Sequence, residues 1–136
     1  MTGAGPRTEH LPPSEHRRYL EKSLEFAETA RAALDDERLN SAGLESVHAV
    51  ISACDALTIF HLGVRSRGKD PSEVLELLRR IQLEGLDKTR EQVLGVLAIK
   101  NSVEYGGEGL SVGAASRAVA RAVRIVEWVS GHVGTS

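Results

Sequence analysis

Between Ser41 and Val64 the sequence reads SAGLESVHAVISACDALTIFHLGV, and at 100° per residue its apolar side chains go nearly all the way round a helix. Leu44, Ile51, Ile59 and Leu62 fall on one face, while Val50, Ala53, Leu57, Phe60 and Val64 cover the opposite one. A helix apolar on both faces is either central or shared between a core and a subunit interface. A chain of 136 residues has room for one domain and one core, so the remaining elements are expected to pack around this helix.

Those elements also read as helices. The first 13 residues, with Gly3, Gly5, Pro6, Pro12 and Pro13 and no periodicity, are expected to be a flexible leader. Ser14 is a candidate cap for a first helix running to Leu34, with Leu20, Leu24, Ala27 and Leu34 as its apolar stripe. After the central helix, Gly63 and RSRGKD form a basic loop. DPSEV then signals a new start: Asp70 as cap, Pro71 in the first position and Glu73 where its charge meets the positive helix end. A short helix is expected over 71–83. A longer one follows from Leu86 to Tyr105, stopped by Gly106, Gly107 and Gly109, and Ser111 caps a last helix ending near Ser130. There is no alternating strand pattern, phosphate-binding glycine loop or internal repeat. The expected architecture is an all-α, up-and-down bundle of four or five helices over 14–132, with 133–136 as a tail.

Composition narrows the partners. With 17 basic and 19 acidic residues the formal charge is −2, which gives no global attraction to nucleic acid or anionic lipid. Any such contact needs a local patch. The lone Cys54 lies in an apolar run, without the spaced Cys and His partners of a zinc site, and reads as a buried core thiol. No metal and no cofactor is implied. No stretch reaches the ~20 apolar residues of a membrane span, and the N-terminus has no apolar signal region, so a cytoplasmic protein without membrane association is expected.

Polar residues in awkward positions are the candidate site. His48 and Asp55 are seven residues apart, about 20° from one another on an apolar face of the central helix. A buried carboxylate needs a basic or hydrogen-bonding partner. Arg117, Arg121 and Arg124, at i, i+4 and i+7 on the last helix with Trp128 one turn further, are candidates for that role or for holding phosphates, with Trp128 stacking on a base. A solvated stripe paired with helix acids is the plainer reading. Arg65, Arg67 and Lys69 read as a loop kept soluble by charge. In AIKNSVEYGGEG, Lys100 and Glu104 form an i,i+4 pair and so do Asn101 and Tyr105. Lys100 can neutralise a phosphate and Tyr105 can donate a hydrogen bond, but neither ordinary group titrates near neutral pH.

The buried HAVISACDAL helix, the following G…RGKDPSEVLELL segment and KNSVEYGG at the end of the next long helix, in that order, resemble HEPN-domain proteins over about 14–129. In the ribonuclease members an arginine, a polar residue and a histidine four to six residues on form a metal-independent catalytic motif, assembled from two protomers in a dimer cleft. The resemblance puts Lys100 in the arginine position, Asn101 in the polar one and Tyr105 in that of the histidine. Lysine lacks the planar fork that grips a phosphate through two parallel bonds, and tyrosine is a poor substitute for an imidazole near pH 7. No histidine follows before His132.

The sequence is more similar to non-catalytic members carrying Arg/Lys-Asn with a trailing tyrosine. That resemblance implies a homodimeric binding or interaction module, associated with RNA or nucleotide or with a nucleotidyltransferase-type partner, in a toxin–antitoxin or defence setting. Lys100, Asn101 and Tyr105 would line the former catalytic cleft, and Asp55 would brace a basic residue from behind. The alternatives are a ribonuclease toxin with an unconventional Lys/Tyr site and a purely structural helical partner.

Overall fold

A computed structural model describes residues 7–134, Lys69 and Pro71 excepted. The chain is an all-α bundle with one small two-stranded antiparallel sheet. In order it comprises β1 (Thr8–His10), a single 3-10 turn (Pro13–Glu15), α1 (His16–Asp35), α2 (Leu39–Leu62), β2 (Val64–Ser66), α3 (Ser72–Leu78), α4 (Leu86–Leu97), α5 (Ile99–Tyr105) and α6 (Val112–Ser130).

The doubly apolar helix is the centre of the bundle, as its pattern requires. Every residue from Ser52 to Ile59 is buried, and Val47, Val50, Leu57 and Ile59 anchor a core shared with α3, α4 and α6. By length and composition α2 also suffices to cross a membrane, which corrects the expectation that no stretch does; 72% of its most apolar window is buried within the bundle. The hydroxyls this burial would orphan bond along their own helix: Ser46 donates to the Ala42 carbonyl at 2.8 Å and Thr58 to that of Asp55 at 3.3 Å.

A second, smaller core is built from Ala30, Ala33, Ala42, Ala115 and Val119, where α1, α2 and α6 meet. These small side chains leave room for close approach, and of the expected α1 stripe Ala27 is buried and Leu20 and Leu34 pack partly buried on the cores. The buried face of the helix is Tyr19, Ser23, Ala27, Ala30 and Ala33, whereas Leu24 is 47% exposed. Gly43 serves the same closeness, because a Cβ there would run into the Leu110 side chain.

Four local expectations change. Residues 7–13, assigned to the leader, include β1, which pairs Glu9 with Arg65 and His10 with Val64. Gly63, at φ 71°, turns the chain from α2 into β2, a conformation only glycine takes without strain. Ser14 does not cap α1; it sits inside the 3-10 turn, and no side chain caps that helix. The helix expected over 71–83 ends at Leu78, with its first expected residue, Pro71, outside the described residues. The helix expected from Leu86 to Tyr105 is two helices that meet at Ala98, which keeps right-handed helical angles and donates its N–H to the Leu94 carbonyl at 3.1 Å. Two cap assignments hold: Ser111 Oγ accepts from the Ala114 N–H at 3.1 Å, and an Asp70 carboxylate oxygen accepts from the Ser72 N–H at 2.9 Å.

Three histidines fasten the chain ends. The buried His16 ring lies between the Pro13 carbonyl at 2.8 Å and that of Gly134 at 3.2 Å. His61 donates to the His132 carbonyl at 2.9 Å, and His132 to that of Trp128 at 2.7 Å.

Candidate functional site

The polar residues singled out from the sequence do not converge; the fold places them in three separate settings. The first is a cleft of ≈ 460 Å³ lined by Asp70 and Ser72 at the start of α3, Leu75, Leu94, Leu97 and Ala98 as its apolar part, and Lys100, Asn101 and Tyr105 from α5. Because α5 directly follows α4, residues 100, 101 and 105 share the side of that helix facing α3, which gathers the three motif positions as their spacing implies. Lys100 Nζ lies 3.8 Å from Glu104, an open one-turn pair worth well under 1 kcal/mol. Tyr105 is 81% exposed and Leu94 55% exposed, so the cleft mouth offers an aromatic ring and an aliphatic side chain to solvent. Hydrogen bonding to the Ser72 backbone holds the Asp70 carboxyl below the usual carboxylate range. Among the described residues the charged part of the lining is Lys100 and Asp70, and the apolar part offers a surface for a flat aromatic body such as a base.

The second setting is built around Asp55. Its charged neighbours come from β1, β2 and α1. Arg65 Nε lies 3.5 Å from Asp55 Oδ2, and Arg65 Nη1 donates to Glu9 Oε1 at 3.4 Å on the paired strand. The guanidinium also sits 5.2 Å from the centroid of the Tyr19 ring, which Arg18 and Lys22 approach at 5.5 and 5.3 Å. Burial, only partly offset by Arg65 and Lys22, pushes the Asp55 carboxyl up to about 6. Asp55 pairs with Arg65, which does not line the Lys100 cleft, and not with an α6 arginine. The reading of Arg65 as a soluble loop residue is therefore wrong: β2 alternates buried Val64, half-buried Arg65 and buried Ser66, and the alternation turns the guanidinium toward α2. Glu9, Tyr19 and Lys22 had carried no signal. His48, Asp55's expected companion, packs its ring against Phe26 with centroids 5.4 Å apart.

The third setting holds the α6 arginines. Arg121 extends beside Gly95 of α4, Arg117 folds back toward Gly113, and Arg124 lines a groove between α1 and α6 opposite Arg31. Trp128 is not free to stack on a base from this stripe, because its indole is stacked on the His132 ring, 18° from parallel at 4.0 Å.

Cys54 is buried, and burial pushes its thiol far above the usual range, which leaves it an inert core group. Among the described residues no three His, Cys, Asp or Glu side chains gather closely enough to hold a metal ion together.

The HEPN domain family matches residues 16–132, most of the chain. The chain is a HEPN-domain protein. No curated protein and no solved structure matches it. The match begins at the first residue of α1 and ends just past α6, so the helices belong to the HEPN unit and β1 precedes it. Within this HEPN bundle none of the five histidines lines the Lys100 cleft: His16, His61 and His132 bond to backbone carbonyls, His48 packs on Phe26, and His10 lies in β1.

Proposed function

We propose that this HEPN protein is a non-cleaving binding module, a cytoplasmic homodimer that holds RNA or a nucleotide at the α3–α5 cleft. A nucleotidyltransferase-type protein in a toxin–antitoxin or defence pair is the partner class that fits the reading. The observation that carries it is the pairing of an 81% exposed Tyr105 with Lys100 and Asn101 over an apolar cleft that no imidazole lines. An exposed tyrosine ring is a stacking platform for an unpaired base, an ammonium neutralises one phosphate, and an amide can read a base edge. The same three groups are poorly suited to cleavage, because they include neither the planar guanidinium nor the imidazole of the ribonuclease motif.

The test is fluorescence anisotropy with a labelled single-stranded RNA oligonucleotide, with AMP as competitor. Tyr105→Ala or Lys100→Ala is expected to weaken binding about tenfold, the scale of one stacked base or one phosphate contact. Binding that neither substitution moves sinks this site assignment, and RNA cleavage that disappears in Tyr105→Phe would make the protein an enzyme instead.

A further inference from the structure

The groove between α1 and α6 is a second cavity, and it shares no residue with the Lys100 cleft. The two helices run antiparallel along it, with Glu28 and Glu127 at one end and Asp35 and Ser116 at the other. Its hollow is ≈ 510 Å³, within the size range of small-ligand sites. Arg31 of α1 and Arg124 of α6 stand on opposite walls, and both are exposed. Among the described residues neither makes an ion pair, although Glu28 and Asp35 stand one turn from Arg31, and Glu127 one turn from Arg124. Leu34, Val119 and Val123 supply an apolar lining that belongs to the second core, and the small Ala120 leaves the hollow open.

We infer that this groove binds a small amphipathic anion, an acyl or aryl body carrying a single carboxylate or phosphate, with its head at Arg31 and Arg124 and its body along Leu34, Val119 and Val123. Guanidiniums on two facing walls suit a head with several acceptor oxygens, because each can donate two parallel bonds to it. The length of the floor sets the length of the body. At 1.5 Å of rise per residue, Asp35 lies about 6 Å along α1 from Arg31 and Ser116 about 12 Å along α6 from Arg124, the span of a medium acyl chain. The surrounding acids decide against larger anions. In a nucleic acid, the phosphates on either side of a bound one would meet Glu28, Glu127 or Asp35 within a turn of the arginines. The same carboxylates repel an anionic lipid surface, and a bare inorganic ion would leave the apolar floor uncovered. The inference stands apart from the function above and does not depend on what the Lys100 cleft holds.

Isothermal titration calorimetry on the full chain tests it with sodium octanoate and octyl phosphate, against octylamine and acetate. At least one of the two anions is expected to saturate the chain with a Kd of about 1 mM or lower, the scale for a ligand of about ten non-hydrogen atoms. The tighter of the two tells a carboxylate head from a phosphate. Acetate has the head without the body and octylamine the body without the negative charge, so each should bind at least about tenfold more weakly. Arg31→Gln/Arg124→Gln should weaken the preferred anion by about tenfold or more. Ala120→Leu, a good helix former at an exposed position, fills the hollow and should weaken it similarly with both arginines in place. It carries the test if the arginine double variant melts earlier than wild type by circular dichroism. No saturable heat with either anion overturns the inference, as does octylamine binding as tightly as octanoate. Binding that survives both the arginine double variant and Ala120→Leu overturns it too, and so does binding lost in Lys100→Ala instead, which places the anion in the other cleft.

Discussion

Arg65 Nε stands 3.5 Å from Asp55 Oδ2, joining a strand residue to the middle of the most buried helix in the protein. The pair fixes the two-stranded sheet to the bundle, because the same guanidinium reaches Glu9 on β1 and covers the ring of Tyr19 on α1. Asp55 is 4% exposed, so its charge is tolerated only through these neighbours.

The first prediction concerns pH. Asp55 binds its proton more tightly in the folded chain, where its pKa is about 6, than in the unfolded chain near 3.8. Its contribution to stability is therefore fully present below about pH 4 and is lost as pH rises through 6. The loss is on the order of 3 kcal/mol, two units at ~1.4 kcal/mol each. Urea unfolding of wild type and Asp55→Asn at pH 4 to 7.5 should show wild type losing ground to the variant by about that amount. A pH-independent difference between them would be inconsistent with a buried, titrating Asp55.

Removing the partner should act in the opposite sense. Arg65→Met strips the charge that keeps Asp55 ionised, so at pH 7.5 the fold should lose about 3 kcal/mol. At pH 5, where the carboxyl accepts a proton, the loss should shrink. Hydrogen exchange should rise first at the ladder amides that pair β1 with β2. Equal losses at both pH values would mean that Arg65 acts through packing alone.

The central helix should be intolerant of lost volume. Leu57 is 1% exposed, and Leu57→Ala is expected to cost roughly 2–5 kcal/mol in denaturant unfolding. Leu94→Ala, at the 55% exposed rim of the cleft, should cost under about 0.5 kcal/mol.

Gly43 should resist enlargement for a steric reason. Gly43→Val drives a branched side chain into Leu110 and Ile99, and overpacking of this kind costs about 1–3 kcal/mol. The pairing of Asn40 Oδ1 with the Leu110 N–H, 2.9 Å in wild type, should weaken with it, which the exchange rate of that amide would reveal. An unchanged melting temperature would mean that the 109–110 loop simply moves aside.

The helical class, the central helix and the caps at Asp70 and Ser111 were legible in the sequence because each depends on local spacing. Apolar residues on both sides of one helix demand enclosure wherever the neighbours come from. The grouping of Lys100, Asn101 and Tyr105 was legible for the same reason, since positions one turn apart share a helix side. What flanks them was not. Asp70 and Ser72 reach the cleft only because α3 packs on α2 and α4, from which α5 continues, and no periodicity encodes which helix lies against which. The partner of Asp55 was misassigned to α6 because β2 is three residues long, too short for alternation to stand out, and its pairing with β1 spans more than 50 residues of sequence. On α1 the stripe was legible in part: Ala27, Leu20 and Leu34 do face the cores, while Ala30 and Ala33 give a weaker apolar signal than the exposed Leu24, although close packing prefers the small side chains. The sequence by itself determined which segments become helices and which must be buried. Tertiary structure decided which charges meet, because that depends on the mutual placement of helices and paired strands, set by volumes and long-range contacts.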